Sequence, residues 1–141
     1  MTELNIKIEF KVAYVDVIPR IKIFSSIDAF EIDIDHSGIF QFQLLFNEQC
    51  QLGVEFLNKD DYEDNWIEIV QISIDNINLQ HFIFKGKFYP IYNQDWYQAQ
   101  NPKPPDFYCP GTQMRHKGIW VLPITIPIFK TVLNQWLYDE R

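Results

Sequence analysis

Leu4, Ile6, Ile8, Phe10, Val12 and Tyr14 alternate with Asn5, Lys7, Glu9 and Lys11. A period of two puts the first set on a core and the second in water only if the segment is a strand. The same pattern returns along the chain. Ile21 to Ile23 make a short second strand after Pro19, and Phe30, Ile32 and Ile34 alternate with Glu31, Asp33 and Asp35 in a third with an anionic outer face. After Ser37-Gly38, a turn signal, Phe40, Phe42, Leu44 and Phe46 form a fourth with Gln41 and Gln43 between them. Leu52, Val54 and Phe56 form a fifth.

The segment from Gln51 to Tyr92 organises the middle of the chain: a strand, the acidic loop Asn58 to Asn65, a long strand, a turn at Asp75-Asn76, and another strand holding Leu79, Phe82, Phe84 and Phe88. In the long strand Ile67 and Ile69 occupy one phase while Ile72 and Ile74 occupy the other. A strand changes phase only by taking in an extra residue, so the spacing predicts a β-bulge near Val70 or Gln71. From Tyr89 to Met114 the alternation stops in a stretch with five of the eight prolines, read as a long loop over 89–116. Trp120, Leu122, Ile124 and Ile126 restore a strand. Pro127, followed by Ile128, Phe129, Val132, Leu133, Trp136 and Leu137, predicts a C-terminal helix over 127–138. The fold class expected is all-β: one antiparallel β-sandwich or jelly-roll domain over 1–141, with the aromatic, Pro-rich loop and the short helix added to it.

Composition narrows the function. Aromatic residues are 16% of the chain and the net charge is −7. A polyanion is repelled by such a surface unless a basic patch intervenes. Lys and Arg are scattered, with at most pairs at Lys85 and Lys87 and at Arg115 and Lys117, so DNA and RNA are not expected partners. No apolar run reaches the roughly 20 residues of a membrane span, and the N-terminus has no signal-peptide pattern. Cys50 and Cys109 form one disulfide or none, two buried free thiols being the plainer reading.

Two clusters carry candidate chemistry. Asp60, Asp61, Glu63 and Asp64 crowd one loop, and Ca²⁺ takes oxygen ligands of this kind; the alternative is a solvated hairpin. Tyr89, Tyr92, Trp96, Tyr97, Phe107 and Tyr108, with Asn93, Gln94, Asp95 and Gln98 among them, offer flat apolar faces beside hydrogen-bonding groups, as a sugar or a base requires; the alternative is a satellite core or a protein interface. His36, His81 and His116 lack the spacing of a zinc site. No constellation marks a nucleophile or an acid–base pair, and the expectation is a protein that is not an enzyme.

The run VEFLNKDDYEDNWIEIVQISIDNINL, followed by FYPIY, DWY, the Gly118–Ile124 segment GIWVLPI and the pair Trp136-Leu137, resembles proteins of tailed, T4-like phages. The central run is similar, more distantly, to calcium-dependent xylan-binding modules. The first resemblance implies a phage protein in the host cytoplasm or the virion. The second implies a jelly roll with calcium at Asp60, Asp61 and Asp64. Together these observations lead to a binding protein that takes a glycan on Tyr89, Tyr92, Trp96, Tyr97 and Tyr108. The alternatives are an accessory protein that counters host defence by binding a host protein or sequestering a nucleotide signal, with Lys85, Lys87, Arg115 and Lys117 as its cations, and a virion protein that self-associates through edge strands.

Overall fold

A computed structural model describes residues 1–59 and 63–125. The predicted helix over 127–138, and Asp60 and Asp61, lie outside the described residues. Among the described residues ten strands build two antiparallel sheets. The first contains β1 (Thr2–Ala13), β4 (Gly38–Phe46), β6 (Trp66–Ile74), β7 (Ile77–Asn78) and β9 (Gln113–Met114). Its order is β4-β1-β6, with β7 and β9 both on the far side of β6. The second runs β3 (Ala29–Asp33), β2 (Arg20–Phe24), β5 (Gln49–Phe56), β10 (Lys117–Thr125), β8 (Lys87–Ile91). The chain crosses between sheets repeatedly, so the all-β sandwich read from the alternation is the fold observed.

The alternating residues meet between the sheets. Ile6, Ile8 and Phe10 of β1, Leu44 and Phe46 of β4 and Ile67, Ile72 and Ile74 of β6 face Ile21, Ile23, Val54, Phe56 and Trp120, all fully or almost fully buried. Each such side chain contributes roughly 1.5–3 kcal/mol relative to exposure. The outer face of the first sheet carries the alternating polar set, with Gln41 Nε2 donating to Asn5 Oδ1 at 2.8 Å.

The phase change in β6 falls where the spacing puts it. Glu9 pairs with Gln71 and Phe10 with Ile69, leaving Val70 as the extra residue. This bulge lets Ile69 and Ile72, three apart, both face the core. The β6–β7 turn is made by Asp75 and Asn76 with φ of 49° and 67°, the left-handed pair of a two-residue hairpin turn. Asp75 Oδ1 also accepts from Asn5 N at 2.9 Å.

Three details differ from the sequence reading. Gln80–Lys85 is a 3₁₀ helix rather than part of a strand. Leu79 and Ile83 are the buried pair, four apart, while Phe84 is exposed. The stretch over 89–116 is not one loop: it begins in β8, holds α1 (Gln94–Ala99), and closes through β9. Cys109 is free and exposed, not buried. No described helix is long and apolar enough to cross a membrane.

Candidate functional site: an aromatic cleft ringed by cations

The segments 14–19, 57–59, 63–65, 92–112 and 115–116 lie at one end of the sandwich, because the end of β5 pairs with the start of β10, and that start pairs with the end of β8. A cleft of about 570 Å³ opens there, lined by Lys59, Tyr92, Asp95, Trp96, Arg115, His116 and Lys117 among others.

The aromatic wall rises from α1. Asn93 caps this helix by accepting from Trp96 N at 3.0 Å, the role its short polar side chain suits. Lys103 Nζ donates to the carbonyls of Tyr97 and Gln98 at 3.0 and 2.8 Å at the other end. Helix geometry then places Trp96 and Tyr97 on either side of Tyr92, with ring centroids 5.5 and 5.6 Å away. His116 stands edge-on to Tyr92 at 4.9 Å and tilted against Trp96 at 5.3 Å. The Tyr92 hydroxyl donates to Pro105 O at 2.6 Å, and burial, then its contact with Tyr108, pushes its pKa above the ordinary tyrosine value. Tyr92 is therefore a neutral structural pillar with its faces occupied. Trp96, 41% exposed, is the ring that faces the cleft with area to spare.

The cationic wall is assembled by the acidic loop. Glu63 accepts from the backbone N–H groups of Val15 at 2.6 Å, of Asp16, and of Val17 at 3.1 Å. Its backbone carbonyl accepts from Lys59 Nζ at 2.6 Å. Asp64 pairs with Arg115 at 3.0 Å; Arg115 also donates to Gln113 at 3.2 Å and lies over the Trp66 ring at 5.4 Å. The loop thus presents Lys59 and orients Arg115, and strand pairing sets Lys117 beside them opposite Ile91. His116 is held below the ordinary imidazole pKa by burial and then by the Lys59 charge, so at neutral pH the ring is uncharged and aromatic.

The expected binding residues divide accordingly. Tyr92 and Trp96 line the cleft, and Tyr97 buttresses Tyr92, with Lys103 Nζ over the Tyr97 ring at 5.2 Å. Tyr108 stacks on Phe88 at 6.5 Å and forms a bridge with it. Tyr89 points elsewhere, packing on Phe107 at 5.8 Å with Lys87 over that ring at 5.0 Å. Of the expected metal positions Asp64 is engaged by Arg115. Among the described residues no three His, Cys, Asp or Glu side chains are grouped for a metal. Lys59 and His116 are not among the binding residues expected from sequence, since neither has a local motif. The Asn93 cap followed by Asp95 was a helix-start signal that could have exposed α1.

The Glu63 anchor makes a pH prediction. Hydrogen bonds from Asp16 first, then Val17 and Val15, with the Lys59 charge, hold its pKa below the ordinary 4.5. A carboxylate depressed in the folded state contributes stability that is present above its unfolded value and is lost as pH falls through the folded one. Thermal unfolding of the protein and of Glu63→Gln should therefore differ most above the unfolded value and converge in acid. Parallel pH profiles for the two proteins would show that the anchor does not act in solution.

Compared with protein-family models, with curated proteins and with solved structures, the chain matches none.

Proposed function

We propose that the protein binds a small ligand that combines a ring with a stackable face and an anionic group, a class that contains nucleotides and acidic sugars. The observation that carries this reading is the convergence of Lys59 with Arg115 and Lys117, from two separate segments of a chain with net charge −7, around the exposed face of Trp96. A ring stacks on the indole while the anion sits among the cations. Asp95 in the same lining supplies an acceptor for hydroxyl or amino groups on the ring.

Relative to the expectation of a glycan, this keeps the aromatic contact and adds an anionic group to the ligand. A neutral sugar gains from the stacking surface and from hydrogen bonds donated by the cations, but not from their charge. The reading fits both a virus-encoded protein that sequesters a nucleotide and one that recognises an acidic polysaccharide.

Calorimetric titration with a nucleoside monophosphate, a galacturonate oligomer and a neutral xylose oligomer separates these sources. One anionic probe should bind, weaken with added salt, and lose roughly tenfold or more in affinity in Trp96→Ala, since ring stacking contributes about 1–3 kcal/mol. Equal binding of the neutral and anionic probes, or unchanged affinity in the variant, would sink the proposal.

A further inference from the structure

The exposed edges of the two sheets are not alike. β3 carries Glu31 and Asp33, both paired with Arg20 at 3.2 and 2.9 Å. β8 contains Pro90 and is bridged by Tyr108. β7 and β9 are two residues each. These are the devices that keep strand edges from pairing with other chains: charge, proline, cover and shortness. β4 has none of them in its middle. It is nine residues long, GIFQFQLLF, with no charged residue and no proline, and Ile39 at its start is 70% exposed. Among the described residues it pairs with β1 alone.

Its free hydrogen-bonding groups can be assigned. Leu45 N donates to Asp28 Oδ2 at 3.0 Å, and Leu45 O accepts from Ser25 Oγ at 2.6 Å, so the backbone of Leu45 faces away from β1. Antiparallel alternation gives Gln43, Gln41 and Ile39 the same orientation. The Ser25–Asp28 turn stops the free edge at one end and the strand's own start at Gly38 stops it at the other. Among the described residues a window over 39–43 remains, and its centre is Gln41.

We infer that β4 is the interface for a second copy of this chain, the two strands pairing antiparallel about a two-fold axis at Gln41. A window closed at both ends admits a strand of its own length, and the axis at its centre sets Gln41 against Gln41 and Ile39 against Gln43. No like charges oppose one another in that frame, a self-complementarity that an isologous interface requires. The two first sheets become one continuous sheet across the dimer. This surface lies apart from the cleft, and the inference stands independently of the ligand.

Sedimentation equilibrium over a concentration series tests it with three proteins. The natural chain should move from one to two chain masses as concentration rises. Gln41→Lys and Gln41→Glu each place like charges on the axis and should shift that transition to higher concentration, with unchanged circular dichroism because the position is on the outer face. Mixing the two variants should restore a dimer of one copy of each, an outcome that only juxtaposition of the two 41 positions produces. A natural chain that stays monomeric throughout, or a dimer that both variants leave unaltered, overturns the inference.

Discussion

Gly118→Ala should cost about 2–4 kcal/mol in urea unfolding, combining overpacking with backbone strain. Gly118 adopts φ of 155°, and a Cβ there would meet Tyr89 O, Pro90 Cα at 2.8 Å and Phe88 Cζ at 2.9 Å. Two of these three are backbone atoms of the neighbouring strand, so no rotamer change relieves the clash. β8 must move away from β10, and with it Tyr92 moves from His116 and Ile91 from Lys117. The variant should therefore lose stability and ligand affinity together. A change below about 0.5 kcal/mol, the scale of an ordinary surface substitution, would mean that the two strands are less closely apposed than described.

Deleting Val70 should be at least as damaging, at roughly 3–6 kcal/mol. Without the extra residue one pair, Ile67 and Ile69 or Ile72 and Ile74, turns outward, and each exposed side chain forfeits about 1.5–3 kcal/mol. All four are now almost fully buried against the opposite sheet. Val70→Ala, which keeps the residue count, should cost far less, because Val70 lies on the outer side of the bulge and is only half-buried. Equal midpoints for the deletion and the substitution would contradict the bulge as the device that fixes register.

The bulge shows why the fold was legible. Side-chain period, phase and turn chemistry are local, and each strand states them in its own sequence: the alternation from Leu4, the phase change at Val70, the paired left-handed residues at Asp75 and Asn76. Gln80–Lys85 was misread because Phe82, Phe84 and Phe88 mimic a period of two, whereas the buried pair Leu79 and Ile83 obeys the spacing of a helical turn. The site was half legible for the same reason. Tyr92 and Trp96 sit in one aromatic stretch that any reading of composition picks out. Lys59 is joined to Arg115 and Lys117 only by strand pairing and by the Glu63 and Asp64 contacts, which no local pattern encodes.

Those contacts also recast the acidic loop. Its carboxylates are conspicuous in sequence and suggest a cation from solution. In the fold, Glu63 is committed to three backbone N–H groups and Asp64 to Arg115, so these two serve to place the protein's own cations. In the proposed reading, the charge that meets a ligand is that of Lys59 and Arg115, which Glu63 and Asp64 help to place.

The most direct measurement is ¹H–¹⁵N chemical-shift mapping of the full chain during titration with the nucleoside monophosphate and the galacturonate oligomer. The account predicts that one of them shifts the Trp96 indole, the His116 imidazole and the backbone amides of 115–117 together, with Lys59 following, while the Tyr89 and Phe107 face stays still. Shifts centred on Tyr89 and Phe107, or none with either probe, would contradict it.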